Sequence, residues 1–99
     1  MKQGKDKYHD KIFIGDQVLC TWAVNDTVNR KKIIPEGAYA EISDILSDGL
    51  LHDCRIKLKN LYNCHDQKIE DPPDRWYSSK RFILRTQKFD PFYEQIKDL

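Results

Sequence analysis

Two pairs of soft donors stand out in this 99-residue chain, His52-x-Cys54 and Cys64-His65. Thiolates and imidazoles are zinc ligands, and four of them are enough to close a tetrahedral site. Two features count against that use. Cys54 falls on the same strand face as Ile56, where a free cysteine behaves as a small hydrophobe. Adjacent Cys64-His65 also departs from the paired spacing of structural zinc sites. His52, Cys54, Cys64 and His65 are therefore only a weak metal set, and no metal or other cofactor is expected. Cys64 and His65 would serve nucleophilic catalysis only with a lowered thiol pKa and an oriented base, and sequence neighbours in an extended segment point apart. The chain carries no glycine-rich phosphate loop, serine elbow or convincing carboxylate pair. Its residues predict a protein that is not an enzyme.

A second group interleaves cations with rings. Arg55, Lys57 and Lys59 share the outer face of one strand by the period of two, and Trp76, Tyr77, Lys80 and Arg81 follow downstream. Small barrels bind single-stranded nucleic acid through such mixtures, with rings for stacking and cations for phosphate. Asp53, Asp66, Glu70 and Asp71 dilute the local field, however, and a domain this small needs Trp76 or Tyr77 in its core. Near a hairpin tip, Ile45 and Leu51 meet on an outer face, either tucked away by a bend or left as an apolar spot for a partner. A protein partner is the leading expectation, single-stranded nucleic acid the alternative and a zinc-stabilised module the third.

Composition narrows the field. A chain of 11.8 kDa has room for one domain and one core. Its 39% hydrophobic and 33% charged residues are offset by an 11% aromatic share, since each buried ring removes a large apolar area from water. A net charge of +1 excludes a globally basic nucleic-acid-coating protein. Three cysteines fit free thiols in a reducing compartment better than a disulfide framework. The polar start leads into no apolar signal region, and no run is long enough to span a bilayer. A cytoplasmic protein without membrane contact is expected.

The elements that would position these residues are mostly strands. Residues 1–10 read as a flexible leader, and 11–99 as a single domain. Gly15-Asp16 marks a turn, and residues 17–23 a first long strand with Val18, Cys20 and Trp22 facing the core. Residues 24–32 read as a polar loop. Pro35-Glu36-Gly37 has type I turn composition, with Pro35 at the second position. The next hairpin is predicted to turn through Ser47-Asp48-Gly49, because that register puts Ile42 opposite Cys54 and Ala40 opposite Ile56. It also sets Glu41 against Arg55. Residues 60–74 form a long connection, 75–79 a fourth strand and 82–85 a short fifth. Asp90 as N-cap and Pro91 at the first helical position predict a helix over 91–98.

The layout Gly15-Asp16-x-Val18, Pro35-x-Gly37-x-Tyr39-x-x-Ile42, Arg55-Ile56-Lys57-Leu58 and Trp76-Tyr77-x-x-x-Arg81-Phe82 resembles small SH3-like barrel proteins, in particular short phage and prophage proteins. The resemblance spans residues 12–85 and implies an all-β, five-stranded SH3-like barrel; the C-terminal helix lies outside it. Many such proteins have no assigned activity, so it implies a fold and not a function.

Overall fold

The computed structural model describes residues 3–47 and 54–85. Nine strands occur among the described residues: β1 (Gln3–Lys5), β2 (Lys11–Phe13), β3 (Gln17–Cys20), β4 (Val24–Asp26), β5 (Lys31–Ile34), β6 (Tyr39–Ser47), β7 (Cys54–Tyr62), β8 (Tyr77–Ser78) and β9 (Phe82–Leu84). A 3-10 turn, Ser79–Arg81, joins the last two. The chain is all-β in these residues. The central sheet is antiparallel with order β8-β7-β6-β3-β9, flanked by two hairpins, β1-β2 and β4-β5. No ladder joins β8 to β9, so the expected closed barrel is not formed among the described residues. Two strands of two and three residues, separated by only a 3-10 turn, are too short to zip together along the seam.

The β6-β7 register differs from the expected one. Ile42 faces Leu58 rather than Cys54, and Ile45 faces Ile56. Glu41 faces Lys59, with an ion pair at 3.2 Å, instead of Arg55, which lies opposite Leu46. The cause is a pair of irregularities. Ser43 is an extra residue on β6, so the inward set changes from Ala38, Ala40 and Ile42 to Ile45. On β7 the shift comes near Asn60, at φ 55°, and the inward set changes from Ile56 and Leu58 to Leu61. Strict alternation cannot find such a register. Ile45 is consequently buried, the tucked-away alternative. Leu51, the turn at Asp48-Gly49 and the helix over 91–98 lie outside the described residues.

Two local expectations also change. The Pro35 turn is closed by Ala38 N–H donating to Pro35 O at 3.1 Å, so Pro35 is its first residue and Gly37, at φ 88°, its third. That is the type II arrangement, which favours glycine at the third position. Residues 24–32 form most of the β4-β5 hairpin, with Asp26 accepting from Val28 N–H and Asn29 N–H to cap its turn.

Residues 3–10 are not a free leader. β1 pairs with β2 and lies against the β6-β7 hairpin so closely that a Cβ on Gly4 would collide with Cys54 Sγ and sit 3.2 Å from Ile45 Cγ2. Asp6 is only 3% exposed. Its Oδ1 accepts N–H bonds from Tyr8 and Asp10, both at 2.9 Å, and its Oδ2 accepts from Leu84 N–H at 3.0 Å. Lys7 N–H adds a bond to Phe82 O at 2.9 Å. One carboxylate thus shapes the turn after β1 and ties it to β9. Burial pushes the Asp6 carboxyl above its ordinary value of 3.8, against the opposing pull of these N–H groups.

Across β6 and β7, the Tyr39 and Tyr62 rings stack at 5.2 Å. Arg85 Cζ lies 3.6 Å over Tyr39, whose hydroxyl donates to Asp66 at 2.6 Å. The core itself is built on Ile12, Val18, Ile34, Ile42, Ile56, Leu61 and Phe82.

Gly4→Ala is expected to cost about 1–3 kcal/mol in urea denaturation. The loss should shrink in a Cys54→Ala background if collision with the sulfur is the cause. Asp6→Ala, which strands three backbone donors, is expected to cost at least about 2 kcal/mol. Because the folded Asp6 pKa is raised, its contribution is fully present below 3.8 and is lost as pH rises through the folded value. The wild type should therefore lose stability relative to Asp6→Asn across that window.

Candidate functional site

β7 presents Arg55, Lys57 and Lys59 outward, as its alternation with Ile56 and Leu58 requires. The strip is not a bare cationic surface. Lys57 pairs with Asp74 at 3.3 Å and lies opposite Asp44, and Lys59 pairs with Glu41. Three cations thus stand against Glu41, Asp44 and Asp74, which leaves no net charge. Lys57 Nζ also sits 4.9 Å over the Trp76 ring and occupies a face that a base would need for stacking. Tyr77 takes the core position, with its hydroxyl donating to Pro73 O at 2.7 Å, and burial pushes that hydroxyl's pKa up. Lys80 is exposed on the 3-10 turn.

The soft donors do not converge. Cys54 is buried at the start of β7, whereas Cys64 is exposed just beyond its end. Nine strand residues hold the two about 25 Å apart, too far to share an ion. His65 is exposed beside Cys64, its N–H donating to Asn63 Oδ1. His52 lies outside the described residues. Among the described residues no three His, Cys, Asp or Glu side chains are grouped to hold a metal.

An open groove of about 490 Å³ lies between the β4-β5 hairpin and residues 69–73, walled by Ile33, Pro35, Ile69, Pro72 and Pro73. Its charges are largely spent locally. The Asn29 side-chain amide and the turn N–H groups hold the Asp26 carboxyl below its usual range. Lys68, at 2.6 Å, and Leu61 N–H do the same for Asp71.

The most distinctive arrangement surrounds Trp22. Expected in the core with Val18 and Cys20, it is instead 67% exposed. β3 ends at Cys20, so the alternation no longer applies two residues on. Thr21 leaves the ladder, its N–H and its hydroxyl donating to Arg81 O at 2.8 and 3.0 Å. Arg81 then reaches back. Its Nη1 donates to Ala23 O at 2.9 Å, and its Cζ lies 4.7 Å from the Trp22 ring centroid. The backbone on either side of Trp22 is tied to Arg81, and the ring is held outward with a guanidinium on it. Arg81 was among the sequence candidates, but Trp22 was not. Its partner lies 59 positions away along the chain, and no local period signals that. Beneath them Cys20 is buried, which pushes its thiol up to about 11.

Thiol chemistry checks this arrangement. At mildly alkaline pH iodoacetamide should modify Cys64 first, with Cys20 and Cys54 reacting only on unfolding, as read by mass spectrometry of the peptides. Trp22→Ala is expected to change stability by less than about 1 kcal/mol, since it removes an exposed ring and one cation–π contact.

No helix among the described residues is long and apolar enough to cross a membrane. No protein-family model, curated protein or solved structure matches the chain.

Proposed function

We propose that this chain is a small non-enzymatic binding module that works through protein–protein contacts on the face carrying Trp22 and Arg81. The observation behind the reading is a tryptophan left 67% exposed on a tied backbone. Exposing so large an apolar ring has no folding benefit. A ring already ordered, by contrast, binds without a further loss of rotamer entropy. Tryptophan and arginine are also the side chains most often found to dominate interface energies. The balanced charges of the β7 strip give no comparable support to a phosphate-binding surface.

We also propose an SH3-like arrangement for the domain. Its support is a five-stranded antiparallel order in which β3 lies between β6 and β9, with a 3-10 turn leading into β9. In that arrangement Trp22 follows the first strand of the sheet and Arg81 ends the turn before the last, so two chain-distant elements build one face.

Affinity capture from cell lysate, with mass readout for both protein and nucleic acid, tests the binding role. A defined protein partner is expected, with recovery reduced about tenfold or more by Trp22→Ala, equivalent to about 1.4 kcal/mol. Undiminished recovery by that variant, or capture of nucleic acid alone, would overturn the reading.

A further inference from the structure

Among the described residues the half-buried cations are Lys57 and Arg81. Lys57 has a carboxylate at 3.3 Å. Arg81 pairs with no carboxylate among the described residues; its side chain donates to one backbone carbonyl and lies on the face of Trp22. A guanidinium carries five N–H donors in a planar fork, and the bond to Ala23 O uses one of them. Partial burial has stripped some of its water, and no anion among the described residues takes that water's place. Elsewhere Lys59, Lys68 and Arg85 each lie within 3.5 Å of an acidic oxygen. Arg81 is therefore both less hydrated and less compensated than these neighbours.

Resting on the binding-module reading above, we propose that the Trp22–Arg81 face takes an acidic protein segment in which an aspartate or glutamate sits next to an aliphatic or aromatic side chain. The carboxylate meets the free edge of the Arg81 fork, where two parallel N–H···O bonds satisfy donors the fold leaves over. The adjoining apolar side chain lies on the exposed part of the Trp22 ring. Each half supports the other. Covering the ring excludes water from the ion pair and strengthens it, and the ion pair fixes the register of the apolar contact. Placement of the fork costs little on binding, because the bond to Ala23 O and the stack on Trp22 already orient it. A basic segment would meet Arg81 as a like charge. Nucleic acid offers an anion too, but as a tetrahedral phosphate on a continuous backbone, for which the charge-balanced β7 strip gives no track.

Isothermal titration of the full chain tests this with three probes: a capped pentapeptide alternating glutamate and leucine, its lysine–leucine counterpart, and a short oligothymidylate. The acidic peptide should bind and the other two should not. Trp22→Ala should weaken binding about tenfold. Arg81→Lys keeps the charge but loses the fork, and should weaken it by a similar factor with little change in Tm. An Arg81 variant that fails to fold is replaced by Trp22→Leu, which keeps apolar area but removes the ring on which the fork rests and should also weaken the acidic peptide. Binding of the lysine peptide in a Trp22-dependent way would overturn the acidic partner while leaving the binding-module reading intact. Binding of oligothymidylate alone would overturn both. Absence of all binding at millimolar peptide, or acidic-peptide binding indifferent to Trp22, would overturn the proposal.

Discussion

The side chains of a β-strand alternate between two faces, and the rest of this fold depends on how β6 and β7 break that rule together. Each strand is nine residues long and serves two packing neighbourhoods. An uninterrupted alternation would bury Asp44 and expose Ile45 on one strand, and would bury Asn60 and expose Leu61 on the other. One extra residue on each strand, near Ser43 and near Asn60, exchanges the faces at the point where the packing changes. Inserted residues of this kind also increase local twist. They let one hairpin present Ala40 and Ile42 to one part of the core and Ile45 to the other, beneath β1.

The parts of this architecture legible in sequence were those encoded over a few residues. Val18 and Cys20 alternate into the core, Gly15-Asp16 turns the chain, and the need of so small a domain for an inward ring from Trp76 or Tyr77 is met by Tyr77. The misses share a physical origin. Sorting the faces of β6 and β7 requires strict alternation, and a single extra residue reverses the sort beyond it. The leader looked mobile because its composition is polar, yet the two features that dock it are invisible to composition. One is the missing side chain of Gly4 and the other is a buried carboxylate whose partners are backbone N–H groups. β4 and β5 lie in a polar stretch, where the hairpin is closed by backbone pairing and a capping aspartate rather than by apolar periodicity.

The candidate site was half legible for the same reason. Arg81 stands out as a cation among aromatics, but Trp22 reads as inward only if the first strand runs to residue 23, three residues beyond its end at Cys20. Its true environment is made by Thr21, Ala23 and Arg81 across 58 to 60 positions of sequence. The predicted cationic strip exists, but its carboxylates arrive from β6 and from the segment before β8, so that the charge on β7 alone misrepresents the surface. Adjacency in sequence misled for the soft donors as well, since the strand that separates Cys54 from Cys64 is itself the spacer.

The Asp6 carboxylate has a bearing on how the molecule assembles. Its bond to Leu84 N–H joins positions 78 apart and encloses most of the chain in a single loop. The hairpins inside that loop can form over short separations, but this bond cannot be made until both the β1-β2 turn and β9 are in place. Closing a loop of this length carries an entropic cost that local pairing must first reduce. The carboxylate thus acts as a late seal. It brings two chain-distant segments of the described residues within a hydrogen bond of each other, so that a covalent link between them would begin folding with this contact already made.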